Sequence, residues 1–389
     1  RRTNTIMRKI CFVTGTRAEY GLLSRLMRLV KDDEDMHLQV IATNMHLMPE
    51  YGETYKDIEK DGFHIDKKVY MNKPSDDAHG VIASMAEEMQ GMNNALSELK
   101  PDILVLLGDR YEILVAAQVA LIHRIPIAHI HGGEVTEGAF DDAIRHSVTK
   151  MSSLHFTSCE EYRHRVIQMG EQPSRVFNVG SLGVENIKAI PLMTREELED
   201  SLDFKIDAQT ILVTYHPVTL GGDPANDIHE FLDALEEFKD LKVIFTMPNS
   251  DTGRDAIALA VENYVQKHQE QAKAFTSLGL KRYLSTLQYV KAAVGNSSSG
   301  IIEVPSFGIP TLNIGDRQKG RLASKSVVNC GTSKEEIIAG LRYCLSDEMQ
   351  IAAKNYENPY AKPNTAQLIF KELKDVELTG LNLKTFYNL

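Results

Sequence analysis

The sequence predicts an α/β chain of two doubly wound, parallel-sheet domains that share an interdomain cleft. Three observations carry this expectation. Short β-rich apolar runs alternate with helix-spaced apolar positions along nearly the whole chain, the order that yields parallel strands joined by right-handed crossovers. The length, 389 residues, exceeds the roughly 250–300 residues at which a single core stops growing. The alternation loosens between Gly180 and Thr194, is broken by Pro191, and then restarts. The expected domains therefore span residues 7–180 and 181–361, with a C-terminal stretch of about 362–389 packing back on the first.

Element by element, residues 9–14, 38–43, 103–107, 126–131, 154–157 and 176–179 read as strands of the first domain, being short apolar runs bounded by turn residues. Between them, residues 22–30, 83–99, 113–123, 144–151 and 162–169 space their apolar side chains three and four apart, as helices do. The second domain repeats the scheme, with strands at 211–215, 243–247, 292–295, 311–314 and 327–329 and helices at 227–238, 255–269 and 334–345. An amphipathic stretch at 366–373 closes the chain. Residues 1–6, ahead of Met7, read as a tag remnant or a poorly ordered start rather than as part of the fold.

Composition excludes several classes. A net charge of −11 argues against a nucleic-acid or anionic-membrane surface, whose affinity comes from Lys and Arg. No apolar run approaches the ~18 residues of a membrane span, and no signal-peptide pattern opens the chain. Cys11, Cys159, Cys330 and Cys344 are scattered, which fits neither a disulfide framework nor a zinc cluster. A soluble protein of the reducing cytoplasm is expected.

The chemistry gathers where strands end. In Thr14-Gly15-Thr16-Arg17 a glycine turn leads from the first strand into a helix beside an arginine, a combination suited to a pyrophosphate. It matches neither the dinucleotide fingerprint nor a Walker loop, so neither nicotinamide nor P-loop chemistry is expected. Leu107-Gly108-Asp109-Arg110 sets an acid and a base at the next junction. Taken alone, Asp109 could equally cap the following helix. The next strand ends in His129-Ile130-His131-Gly132-Gly133-Glu134, followed by Asp141-Asp142 and Arg145-His146. So many titratable groups in one stretch allow one to accept a proton while another donates it. Alternation turns His129 away from His131, so His129 reads as structural. A metal held by the two histidines is the weaker reading, since no further ligand pattern follows.

In the second half, His216-Pro217 and Asn249-Ser250-Asp251-Thr252-Gly253 follow strands. Gly295-Asn296-Ser297-Ser298 enters a helix with Glu303 a turn later, and Gly315-Asp316-Arg317-Gln318 ends a further strand. Serine hydroxyls and N–H groups suit phosphate oxygens, a carboxylate suits ribose hydroxyls, and Arg317 adds a cation. This is the chemistry of a nucleoside diphosphate site.

Together and in order, these motifs resemble the hydrolysing UDP-N-acetylglucosamine 2-epimerase family of sialic-acid biosynthesis, from about Met7 to beyond Arg321. The resemblance implies a GT-B-like pair of Rossmann-like domains and conversion of UDP-GlcNAc and water to UDP and ManNAc through a 2-acetamidoglucal. It implies no cofactor and no metal, and a homo-oligomer, dimer or tetramer. The catalytic and sugar-positioning groups are then Asp109, His131, Glu134, Asp141 and His216. UDP falls to Arg17, Arg110, His216, Asn249, Ser297, Ser298, Glu303 and Arg317. Some family members carry glutamate where His131 stands, so its acid-base role can pass to the imidazole or to Glu134. The stretch from His129 to Gly138 also resembles sister enzymes acting on UDP-2,4-diacetamido-2,4,6-trideoxyglucose, of the legionaminic-acid pathway. The reversible epimerases instead carry Pro-Glu-Glu-x-Asn-Arg where Asp141-Asp142-Ala143-Ile144-Arg145 stands here, which favours the hydrolysing branch. A GT-B glycosyltransferase and a non-catalytic nucleotide-sugar sensor are the alternatives of other classes.

Overall fold

The computed structural model describes residues 6–137, 140–218, 223–247 and 254–389. The chain divides into two compact units, the first made of the chain up to Glu134, Asp141–Glu185 and Lys362–Leu389, the second of Val135–Phe140 and Asn186–Ala361. Each is built on one sheet whose recorded strand pairs are all parallel.

In unit 1 the strands are β1 (Arg8–Thr14), β2 (Met36–Thr43), β3 (Lys67–Val69), β4 (Ile103–Leu107), β5 (Ile127–Ile130), β6 (Leu154–Thr157) and β7 (Val176–Asn178). Their order is β3-β2-β1-β4-β5-β6-β7. The chain winds one way from β1 and the other way from β4, so the loops leaving these neighbours diverge and open a crevice at their carboxyl ends. Both faces are covered. Along β1, Ile10 and Phe12 enter one core layer while Cys11 and Val13 enter the other, as a period of two requires.

Unit 2 repeats the plan with β8 (Thr210–Thr214), β9 (Lys242–Thr246), β10 (Ala272–Phe275), β11 (Ala292–Gly295), β12 (Thr311–Ile314) and β13 (Val327–Cys330). The order is β10-β9-β8-β11-β12-β13, so the reversal falls between β8 and β11. The Thr365–Asp375 helix belongs to unit 1, where Ala366, Ile369 and Leu373 are fully buried in the core that holds Phe12. Among the described residues no helix is long and apolar enough to cross a membrane.

The central strands lie where the sequence puts them, and the differences are at edges. β3 and β10 are not visible as strands in the sequence: both are sheet-edge strands carrying lysine, and edge strands need less apolar surface. Helices begin earlier than periodicity suggests, at Arg17, Ala78 and Asp141, because a polar first turn is chosen for capping. The loosened stretch holds a helix of its own, Leu182–Ala189.

Candidate active site

Unit 1 builds its candidate site from the loops after β1, β4 and β5. The Gly15 N–H donates to Glu19 Oε1 at 3.0 Å, and the Thr16 hydroxyl accepts from the Glu19 N–H at 3.2 Å. A Cβ on Gly15 would stand 2.5 Å from Glu112 Oε1, so any side chain there must displace Glu112. Glu19, Glu88 and Glu112 are all buried beneath it. Burial, then the nearby Glu112, pushes the Glu19 carboxyl up to about 8, and Glu88 is raised well above its ordinary value for the same reasons. Glu112 Oε1 accepts from Arg110 Nε at 2.7 Å. Arg17 opens the Arg17–Asp32 helix half-exposed, with its Nε 3.4 Å from Asp57.

At the β4 loop, Asp109 is bonded to Arg145, a guanidinium with 1% exposure. Arg145 Nη1 also donates to Asp142 Oδ1 and to the Glu134 carbonyl, both at 3.1 Å. The structure thus gathers Asp109, Asp142 and the Glu134 backbone around one buried cation. His146 Nε2 stands 3.2 Å from Asp142. Glu134 is buried, its Oε1 accepting from the Ser158 hydroxyl at 3.1 Å. His131 is buried with a φ of +68°, a left-handed backbone that non-glycine residues adopt sparingly and often at functional sites. Its N–H donates to the Phe156 carbonyl at 2.8 Å. Gly133 adopts φ +81°, and a Cβ there would meet the Tyr162 carbonyl at 2.4 Å. Asp141 starts the Asp141–Met151 helix, where a carboxylate is favoured.

His129 lies on the strand, wholly buried. Burial drives its pKa down to about 3, so the ring is neutral; Nε2–H donates to the Gly108 carbonyl at 2.8 Å and Nδ1 accepts from Thr149 at 3.0 Å. It pins the turn that carries Asp109. Among the described residues no group of His, Cys, Asp and Glu is placed to hold a metal ion.

In unit 2 the loops after β8, β11 and β12 converge on Asn296, which is 1% exposed. Its Oδ1 accepts from the His216 N–H at 2.7 Å and its Nδ2 donates to the His216 carbonyl at 2.8 Å. Its own carbonyl accepts from Arg317 Nη1 and Gln318 Nε2, each at 3.0 Å. Ser297 and Ser298 follow, half-buried, and lead to the Ser299–Ile302 helix with Glu303 at its end. Burial, then the charge of Arg317, holds the His216 pKa well below its ordinary value, so this imidazole is neutral at neutral pH. Asn249 and the rest of its motif lie outside the described residues.

Sequence reasoning assigned no role to Arg145, Asn296, Glu19 or Glu112. Arg145, three residues after Asp142 on one helix face, carried a readable signal. Asn296 carried none, because its partner His216 is 80 positions away.

Two parallel doubly wound units with charged, glycine-turned loops at their carboxyl edges define an α/β enzyme of GT-B-like architecture. The chain belongs to the UDP-N-acetylglucosamine 2-epimerase family, whose model matches residues 28–374. It is 46% identical over 323 residues to GDP/UDP-N,N'-diacetylbacillosamine 2-epimerase (hydrolyzing) of Campylobacter jejuni, covering 83% of this chain and 84% of that one. It is 39% identical over 386 residues to polysialic acid biosynthesis protein P7 of Escherichia coli, covering 98% of each. Among solved structures, UDP-GlcNAc 2-epimerase of Neisseria meningitidis bound to UDP-GlcNAc superposes with a TM-score of 0.80 at 18% identity, covering 95% of this chain and all (100%) of that one.

Proposed function

We propose that this protein is a hydrolysing 2-epimerase of a UDP-sugar, and that the sugar is 2,4-diacetamido-2,4,6-trideoxyglucose, N,N'-diacetylbacillosamine. The sequence motifs led first to UDP-GlcNAc. The observation that carries the present reading is the 46% identity to a hydrolysing diacetylbacillosamine 2-epimerase, against 39% to protein P7. That second relative, matched along almost the full chain, keeps UDP-GlcNAc as the second reading.

The reaction needs a base for the C2 proton, stabilisation of the departing diphosphate and a proton for C2 from the other face. Removal of the C2 hydrogen expels UDP from C1, and the C1–O electrons leave with the phosphate. The product is a glycal with a C1–C2 double bond. Water then adds its oxygen to C1 while C2 is protonated with inversion, giving UDP and the free 2-epimeric sugar. Oxidation state is conserved overall, so no redox cofactor enters. Asp109, His131, Glu134 and Asp141 supply the proton-transfer and positioning groups. Arg17, Arg110, Asn249, Ser297, Ser298, Glu303 and Arg317 bind UDP. His216, being neutral, contributes a hydrogen bond rather than a charge.

Proton NMR of both UDP-sugars incubated with the protein in deuterium oxide tests this. Expected are UDP and a free sugar inverted at C2 and carrying deuterium there, with the diacetamido sugar turned over faster. Faster turnover of UDP-GlcNAc selects the second reading. A free sugar that keeps its C2 proton overturns both, since a hydrolase or transferase aims no base at that atom.

A further inference from the structure

We propose that Asn296 is the positioning residue of the UDP site: its buried side-chain amide sets the His216 loop against the Ser297-Ser298 turn, and its backbone carbonyl receives Arg317. The inference rests on the UDP-sugar reading for the identity of the ligand.

The topology creates the need. β8 and β11 are neighbours at the point where the sheet reverses its winding, so the segments leaving them separate and lose the ladder that aligned them. Asn296 extends that ladder by one side chain. Its N–H donates to the Thr214 carbonyl at 3.1 Å, and its amide takes both backbone groups of His216, a two-point contact of the kind a paired strand residue would make. Gly295 delivers it there: φ is +136°, and a Cβ would lie 1.9 Å from the Thr214 carbonyl. On the opposite side, the Asn296 carbonyl receives Arg317 and Gln318 from the loop after β12. Backbone N–H, backbone C=O, Oδ1 and Nδ2 are all engaged.

Every group so held is one assigned to the nucleotide or its immediate neighbour. Holding Arg317 by its own guanidinium before ligand arrives removes the ordering cost that a long, rotamer-rich side chain otherwise charges against affinity. An alanine at this position keeps the backbone bonds but frees the His216 loop from the turn. An aspartate separates two states. Protonated, its C=O and O–H reproduce the amide's acceptor and donor; ionised, it turns negative charge on the His216 carbonyl.

Calorimetric titration with UDP on the full chain, alongside steady-state kinetics, tests the assignment. Asn296→Ala is expected to weaken UDP binding by about 10–100-fold and to raise KM similarly, with a much smaller change in kcat, because the nucleotide contacts are shared by ground and transition states. Asn296→Asp is expected to show an affinity, relative to wild type at each pH, that recovers as pH falls from about 8 to about 5, while the alanine ratio stays flat. If the alanine variant fails to fold, the aspartate profile carries the test alone. A folded alanine variant within about twofold of wild type, or a flat aspartate profile, overturns the positioning role and leaves the epimerase reading standing. A wild-type chain that binds no UDP overturns that reading, and this inference with it.

Discussion

Arg145 is a fully buried cation, and a guanidinium in that position is tolerable only when its charge is answered. Asp109, Asp142 and the Glu134 carbonyl answer it. Replacing Arg145 by Met would take the buried cation from two partly exposed carboxylates and from the Glu134 carbonyl, a loss of about 1–3 kcal/mol by the usual cost of removing one partner of a buried polar contact. Chemical denaturation is expected to show that loss in the transition of unit 1. Asp109→Asn is a different experiment, because the amide oxygen still accepts from Arg145 while the carboxyl proposed for proton transfer is gone. UDP affinity is expected to stay near wild type and turnover to fall by about 10²–10⁴; Asp141→Asn should behave likewise. Calorimetry paired with kinetics decides, and near-normal turnover would strike either residue from the catalytic set.

At the scale of elements, the last ten residues form a strap over the amino edge of the unit 1 sheet. Lys384 Nζ stands 2.7 Å from Glu171 Oε1, which also receives His155 Nε2 at 2.7 Å, while Lys150 Nζ lies 2.5 Å from Oε2. Phe386 covers Gly170, where any Cβ would stand 2.4 Å from the ring. Burial alone would raise the Glu171 pKa, but hydrogen bonds from His155, Lys150 and Lys384 prevail and hold it down at about 2. An acid depressed in the folded state stabilises above its unfolded pKa near 4.5 and loses that contribution as pH falls toward 2. Glu171→Gln is therefore expected to lower the melting temperature at pH 7, with the gap from wild type closing between about pH 4.5 and 2. A gap independent of pH would mean that packing, not charge, holds the strap. The sequence placed 362–389 back on the first domain through its amphipathic helix but did not name the strap's partners, whose contacts join residues more than 200 positions apart. The same distinction runs through the site. Asp109, His131, Glu134 and Arg317 stood out as candidates because a strand ending in glycine and charge marks the carboxyl edge of a parallel sheet. Arg145 and Asn296 bond to partners set by topology, Asp109 36 positions from Arg145 and His216 80 from Asn296, and a one-dimensional pattern carries no trace of those two pairs.

Over the whole molecule, buried titratable groups in unit 1 pull its stability in two directions. Burial keeps His46 near 4 and His129 near 3, and lowers His155 too. His46 and His129 stay neutral in the folded state above those values, and burial disfavours the charged form of His155, while the unfolded chain takes up protons below about pH 6.5. Folding then releases protons, so this set destabilises unit 1 as pH falls. Glu19 and Glu88 do the reverse: the fold retains protons that the unfolded chain gives up above about pH 4.5, until Glu19 ionises near 8. Their contribution is lost as pH rises through that window. Between about pH 4.5 and 6 the histidines oppose the acids; above about pH 6.5 the histidines are silent and only the acids act. Thermal denaturation is expected to show a stability maximum between about pH 6 and 7, with decline on both sides. Glu88→Gln removes one of the retained protons, so it should flatten the alkaline limb and steepen the acid limb above about pH 4.5, where that acid opposed the histidines. A melting temperature that climbs steadily to pH 8 in the wild type, or an alkaline limb untouched by Glu88→Gln, would show that the carboxyl groups beneath the Gly15 turn are ionised after all.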